Sequence, residues 1–284
     1  MSNQEYKQEL QEDIYRLQEW AKTWLLTLNM EKCKILHIGR SNPAHSFYMK
    51  DGRDITEIVR TKREKDLGVN IDEDLKFSEH IEIQVNKANK LLGLIRRSFT
   101  HLDKESMLIL YKSLIRPLLE YGHSVTFPRF EKDKKLLERV QRRATKLIPE
   151  LKDKEYEERL RILKLPSLQY RRERGDMIEC YKYTHNLYKS QPPFQLNTGT
   201  ITRGHAYKIK KVFARLECRK HFFGLRAVNN WNSLPESIVT SQSLDTFKNR
   251  LDRHWNYKQY ALEPCHTTTA SISTQPEEEI IVQA

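Results

Sequence analysis

FSEHIEIQVNKANKLLGLIRRSF, residues 77–99, sets the fold class of this chain. Apolar side chains recur along it every three or four residues, which is the period of one face of an α-helix. This apolar stripe consists of Ile81, Val85, Ala88, Leu92, Ile95 and Phe99. The remaining faces carry Lys87, Lys90, Arg96 and Arg97. We therefore expect a helix that buries the stripe and presents the basic side chains to solvent.

The same period predicts helices on the C-terminal side of this stretch. One covers residues 104–121, with a buried face made of Met107, Leu110, Leu114 and Leu118. Pro117 lies inside it, and because proline lacks an N–H we expect a kink or break near Arg116. The other predicted helices cover residues 132–148, 156–163, 170–188, 219–231 and 244–255. These segments predict a helical bundle followed by a further helical region.

The N-terminal side predicts one helix and a small sheet. Residues 1–29 repeat apolar side chains at helical spacing, and the tryptophans Trp20 and Trp24 within them are typical of a core. The alternative is that these two rings stack on nucleic-acid bases. Residues 34–72 alternate apolar and polar side chains, with Leu67, Val69 and Ile71 on one strand face. Asp51-Gly52 is a strong hairpin signal. We read residues 34–72 as a small antiparallel sheet.

The fold class that follows is α+β and mainly α-helical. The predicted divisions are a helix plus antiparallel strands over residues 1–76, a helical bundle over 77–150 and a helical region over 151–258. Residues 259–284 are rich in Thr, Ser and Glu, and we expect a disordered tail there.

The charge favours a polyanionic partner. Lys and Arg total 50 against 38 Asp and Glu, a net charge of +12 over 284 residues. No apolar run reaches the ~18 residues of a membrane span, and we expect an intracellular protein, nuclear or cytoplasmic. The four cysteines are scattered without zinc-ligand spacing, so no metal or cofactor is predicted.

Half of the net charge lies in residues 139–174, which hold twelve basic and six acidic side chains. Four of the basic residues stand at three- and four-residue steps on the predicted helix opposite Val140 and Ala144. We name them the basic ridge: Arg139, Arg142, Arg143 and Lys146. Such a ridge suits contacts with phosphates. The alternative is a solvated surface neutralised by Glu138 and neighbouring helices.

Several stretches, in this order, resemble the reverse transcriptases of non-LTR (LINE-type) retrotransposons. They are LQEWAKTWLLTLNMEKCKIL at residues 17–36, KDLGVNID at 65–72, LYKSLIRPLLEYG at 110–122, LERVQRRATK at 137–146, FFGLR at 222–226 and WNSLP at 231–235. The resemblance covers residues 10–257 and implies the distal palm, the thumb and the C-terminal region of that polymerase. It also implies that Lys87, Lys90, Arg96, Arg97 and the basic ridge contact the backbone of a template–primer duplex.

The family's Mg²⁺ ions are held by paired aspartates in an Ala-Asp-Asp motif, which this sequence does not contain. Asp66, Asp72 and Asp74 are the remaining carboxylates to consider, and their place at the end of a strand is more typical of turns. We therefore predict no catalytic or metal-binding residue, and a fragment that is inactive alone. Its expected partners are an RNA–DNA or DNA duplex and the missing polymerase half. A non-catalytic helical module that binds nucleic acid or protein stays the alternative.

Overall fold

A computed structural model describes residues 3–39, 41–52, 54–197 and 204–262. The α-helices are α1 Asn3–Thr23, α2 Ser78–Ser98, α3 Lys104–Leu110, α4 Arg116–Glu120, α5 Glu131–Lys146, α6 Tyr156–Leu163, α7 Leu168–Thr184, α8 Glu217–Lys220, α9 Phe223–Arg226, α10 Val228–Asn232, α11 Glu236–Val239 and α12 Leu244–His254. The strands are β1 Lys34–Leu36, β2 Tyr48–Asp51, β3 Asp54–Glu57, β4 Val59–Thr61, β5 Arg63–Asp66 and β6 Val69–Asp72. The mainly α-helical α+β class is confirmed.

The strands form separate two-stranded sheets. The hairpin predicted from Asp51-Gly52 is present: Asp51 ends β2 and pairs with Asp54 of β3, and Gly52 begins the turn at φ 63°. The β5–β6 pair is antiparallel, whereas β1 and β4 pair in parallel, so the single antiparallel sheet was wrong. In sequence, the β2–β3 hairpin comes between β1 and β4. It therefore forms part of the long connection that two parallel strands require. Leu67 was also misplaced: it lies in the β5–β6 turn at φ 43° and is 85% exposed.

The first core lies among α2 to α6. The predicted stripe of α2 is buried from Ile81 to Ile95, and Phe99, beyond the helix end, is 45% exposed. The predicted break is present as a π-helical turn, Tyr111–Ile115, between α3 and α4, directly before Pro117. This wider turn changes the buried face. The buried residues here are Met107, Tyr111, Ile115 and Leu119 instead of the predicted Met107, Leu110, Leu114 and Leu118.

The second core lies between α7 and the later helices α9 to α12. Helix α7 is shared, because Leu168 packs in the first core while Tyr170 and Met177 pack in the second. The first core therefore extends past residue 150, and the predicted boundary there does not separate two cores. The single helix predicted over residues 219–231 is instead α8, α9 and α10.

The predicted tail begins with packed residues. The backbone N–H of Ser167 donates to the carbonyl of Gln259 at 2.9 Å. Tyr260 and Leu262 pack against the first core. The remainder of the tail prediction, residues 263–284, lies outside the described residues.

One buried ion pair joins the α4–α5 loop to the second core. Arg226 and Asp176 are about 7% and 5% exposed, and their side chains meet in two contacts, Nη2–Oδ1 at 2.8 Å and Nε–Oδ2 at 2.9 Å. The same guanidinium donates to the carbonyl of Ser124 at 3.1 Å and lies 4.3 Å from the ring centre of Phe127. Arg226 therefore holds the loop in place through charge, hydrogen bonds and ring contact.

Helix α1 covers strand β2 through two glutamines. Gln11 donates to the carbonyl of Tyr48 at 2.8 Å and accepts from its N–H at 2.9 Å. Gln18 makes the same pair of bonds with Lys50, at 2.8 and 3.0 Å.

The tryptophans of α1 lie outside the small N-terminal core. Trp20 is 52% exposed and Trp24 65%, so the prediction that they are core residues was wrong. The face that packs on β2 instead carries Ala21 and the two glutamines. The two tryptophan rings lie 6.4 Å apart, centre to centre, on the solvent-exposed face of α1.

Candidate nucleic-acid interface

Helices α2 and α5 lie side by side and run in the same direction. Near their starts, the Ser78 hydroxyl donates to Oδ2 of Asp133 at 2.7 Å. Further along, Nη1 of Arg143 donates to Oδ1 of Asn89 at 3.2 Å. At ~1.5 Å per residue, the two contacts are about 16 Å apart on α2 and about 15 Å apart on α5. The outer surfaces of the two helices therefore form one continuous face.

All four residues of the basic ridge are exposed on α5, opposite buried Val140 and Ala144. None of them forms an ion pair with a residue that the structure describes. Glu138 forms no ion pair with the ridge and instead accepts from the Tyr156 hydroxyl at 2.6 Å and from the Leu168 N–H at 3.0 Å. Burial raises the pKa of Glu138, while the bond from Tyr156 and the nearby positive charges of Arg172 and Arg142 oppose that rise. Glu138 therefore offsets part of the charge of Arg142, whereas Arg139, Arg143 and Lys146 form no ion pair with any described carboxylate.

Arg142 is positioned by an aromatic ring. Its guanidinium lies 4.8 Å from the ring centre of Tyr156, which is 5% exposed and is fixed by its bond to Glu138. A cation–π contact of this kind orients the guanidinium and leaves its N–H groups free to donate.

Two lysines missed in the sequence extend the ridge toward the start of α5. Lys132 and Lys135 are exposed and precede Arg139 at three- and four-residue steps. The sequence could have predicted them, because the three- and four-residue spacing of the ridge continues through both lysines toward the N-terminus. With them, the basic face runs over almost the whole of α5.

The four predicted residues of α2 are exposed but do not all join this face. Each residue turns the helix by about 100°, so Arg96, two turns after Asn89, lies on the side toward α5. Lys90 and Arg97, two turns apart, share the outward side. Lys87 lies roughly 160° around the helix from Asn89 and is on the far flank. By this helical geometry Arg96 lies nearest the ridge, Lys90 and Arg97 face outward beside it, and Lys87 lies farthest around α2 from it.

Lys87 lies near a buried histidine, which gives a pH prediction. His80 is 2% exposed and accepts from the Asn70 N–H through Nδ1 at 3.3 Å. Burial, with a smaller contribution from Lys87, lowers the pKa of His80. The imidazole of His80 binds a proton more readily in the unfolded chain than in the folded one. The stability that comes from keeping His80 neutral is therefore complete above about pH 6.5, the unfolded pKa, and is lost as the pH falls through the lower pKa of the folded state.

We therefore expect the H80N variant to lose less stability than the wild type between pH 7.5 and pH 5.5. Asparagine keeps an acceptor for Asn70 and removes the titration, so the pH slope of the unfolding free energy should decrease by up to ~1.4 kcal/mol per pH unit. Urea unfolding at several pH values measures this slope. H101N changes an exposed histidine and serves as the control. Equal slopes in H80N and the wild type would contradict the assignment.

The carboxylates after β6 organise a turn. Asp72 accepts from the N–H groups of Asp74, Lys76 and Phe77 at 3.1, 3.0 and 2.8 Å and so shapes the entry to α2. Asp66 lies in β5 and is exposed. Among the described residues, no group of three or more His, Cys, Asp or Glu side chains could hold a metal ion.

Within the described ranges, no helix combines the length and the apolar character needed to cross a bilayer. Comparison of the chain with known protein families, with curated proteins and with solved structures gave no match.

Proposed function

We propose that this protein binds a double-stranded nucleic acid through its phosphate backbone, using the basic ridge with Lys132, Lys135 and the adjacent Lys90, Arg96 and Arg97. One observation carries the proposal: these exposed cations lie on two parallel, contacting helices and have no carboxylate partner among the described residues. Contacts with phosphates position a duplex without reading its sequence, so the expected binding is sequence-neutral.

The length of the basic face suits a duplex backbone. From Lys132 to Lys146, α5 rises about 21 Å at ~1.5 Å per residue. Phosphates follow one another at ~3.4 Å per strand along the axis, so this length covers about six of them. Cations at every turn of α5 can therefore meet several phosphates at once.

The ligand that we favour is the RNA–DNA template–primer duplex of a LINE-type reverse transcriptase. In this proposal the chain is the distal palm, thumb and C-terminal region of such an enzyme and lies in the nucleus or cytoplasm. These residues contain no Ala-Asp-Asp motif and perform no nucleotidyl transfer by themselves. Support comes from hydrogen bonds that join the sequence stretches resembling this family, those at residues 65–72, 110–122 and 137–146. The Tyr121 hydroxyl donates to the carbonyl of Leu67 at 2.5 Å, and the Tyr111 hydroxyl donates to Gln141 at 2.5 Å.

A second candidate function is protein binding through α1. Trp20, Trp24, Leu25 and Leu26 are each more than half exposed and follow one another closely, and exposed apolar patches of this kind mark interaction sites. A protein-binding helical module would use this patch, and so would contact with the catalytic half of a reverse transcriptase.

The main proposal is tested by binding to fluorescent duplexes across a salt series. Log K should fall linearly with log salt, by ~0.9 for each phosphate contact, giving a slope of about −4 to −6. RNA–DNA and DNA duplexes of two unrelated sequences should bind equally well within each duplex type. Absence of binding at low salt, by protein that unfolds cooperatively in urea, would overturn the proposal.

A further inference from the structure

A cleft of about 530 Å³ opens on the flank of α5 that faces α7. Five basic residues contribute to its lining: Lys134, Lys135, Arg139, Arg142 and Arg172. Two of them also belong to the basic ridge, so the cleft and the proposed nucleic-acid surface share side chains. An occupant of the cleft would therefore compete with phosphates for Arg139 and Arg142.

The five basic residues of the cleft outnumber its two carboxylates, Glu131 and Glu138, so the cleft keeps an excess of positive charge. Glu131 also lines it and accepts from Lys134 at 2.5 Å, and Glu138 is bonded to Tyr156 and Leu168. Arg172 is buried and donates to the carbonyls of Leu119 and Leu168. The remaining three, Lys135, Arg139 and Arg142, have no carboxylate partner among the described residues.

The described chain ends inside this cleft. Ala261 and Leu262 line it, and residues 263–284 follow directly. Those 22 residues contain no Lys or Arg, and their acidic residues are Glu263 and the run Glu277, Glu278 and Glu279. An acidic segment without Lys or Arg thus continues from the point where these basic side chains lie together.

We propose that the acidic run Glu277–Glu279 docks on the cations of this cleft and competes with nucleic acid for the basic ridge. The run begins 15 residues after Leu262, and a chain of that length can span at most about 50 Å. Helix α5 is only about 24 Å long at ~1.5 Å per residue, so the run reaches any point of the ridge. Tethering of this kind gives millimolar effective concentrations, which suits weak, salt-sensitive ion pairs.

Docking itself is tested without nucleic acid. A zero-length carbodiimide joins carboxylates to lysines in direct contact, and mass spectrometry of the full chain locates the products. We expect Glu277–Glu279 to be linked to Lys134 and Lys135, and the yield to fall severalfold at 0.5 M salt. Lys189, Lys210 and Lys211 are exposed lysines away from the cleft and serve as the reference. Equal yields at the reference lysines would overturn docking.

Competition rests on the proposed function and is tested by duplex binding. The full-length variant E277Q/E278Q/E279Q should bind about tenfold more tightly than the wild type at low salt, and the difference should vanish at high salt. The control E9Q/E105Q/E236Q removes the same charge from exposed positions elsewhere. Equal affinities of both variants would overturn competition. If no protein binds duplex, the proposed function fails, and the cross-links still decide whether the run docks.

Discussion

Replacing the four residues of the basic ridge with glutamine should weaken duplex binding by about 10³-fold at 0.1 M salt. Each lost phosphate contact removes about 0.9 from the slope of log K against log salt, so the slope should become less steep by about 3.6. The four side chains are exposed and form no ion pair with the described residues, so the fold should tolerate their loss. The cation–π contact of Arg142 with Tyr156 contributes on the order of 1 kcal/mol to stability.

The control for this variant removes the same charge elsewhere. K189Q/K210Q/K211Q/R215Q changes four exposed basic residues outside α2 and α5. It lowers the net charge equally, so it should reduce affinity only through the overall field and leave the salt slope nearly unchanged. Equal weakening by both variants would mean that net charge, and not the ridge, governs binding.

Removing Arg226 should cost about 3–5 kcal/mol of unfolding free energy, because it leaves the Asp176 carboxylate buried and unpaired. R226M retains a long apolar side chain against Phe127, which confines the change largely to the charge and its hydrogen bonds. Urea unfolding measures the loss. D176L should also be destabilising, because it leaves the buried guanidinium without a counter-charge and with only carbonyl acceptors among the described residues, such as those of His221 and Ser124.

The double variant R226M/D176L replaces both partners of the buried ion pair, so that no unpaired charge is left in the interior. Well-packed apolar replacements of a buried pair are often close to neutral, so the double variant should recover most of the stability lost in either single one. R16M, at an ion pair about 70% and 65% exposed, should change stability by less than about 0.5 kcal/mol. Additive losses in the double variant would show that Arg226 and Asp176 act separately.

Local patterns predicted the parts of the fold that depend on neighbours in sequence. The stripe from Ile81 to Ile95, the turn at Asp51-Gly52 and the break before Pro117 each follow from spacing or backbone chemistry. The exposure of Trp20 and the parallel pairing of β1 with β4 do not, because each depends on segments distant in sequence.

In the candidate site, too, some features could be predicted from the sequence and others depend on tertiary packing. In LERVQRRATK the arginines were predictable as exposed, whereas the roles of the polar residues between them were not. Gln141 is fully buried and donates to the carbonyl of Pro166 at 3.1 Å, and Thr145 accepts from Nε of Arg159 at 3.0 Å. Helical spacing shows which side chains share a face, but only the packed neighbours show that one polar face of α5 is internal. The separation of Lys87 from the ridge has the same cause, since it depends on which flank of α2 meets α5.

The glutamines of α1 have a consequence for solubility. An open strand edge offers its N–H and C=O groups to a strand of another molecule and so favours association into fibres. Strand β2 pairs with β3 on one side, and on the other Gln11 and Gln18 occupy the outward N–H and C=O groups of Tyr48 and Lys50. Two side-chain amides thus take the place of a third strand, and the hairpin is closed to further strand addition at that edge.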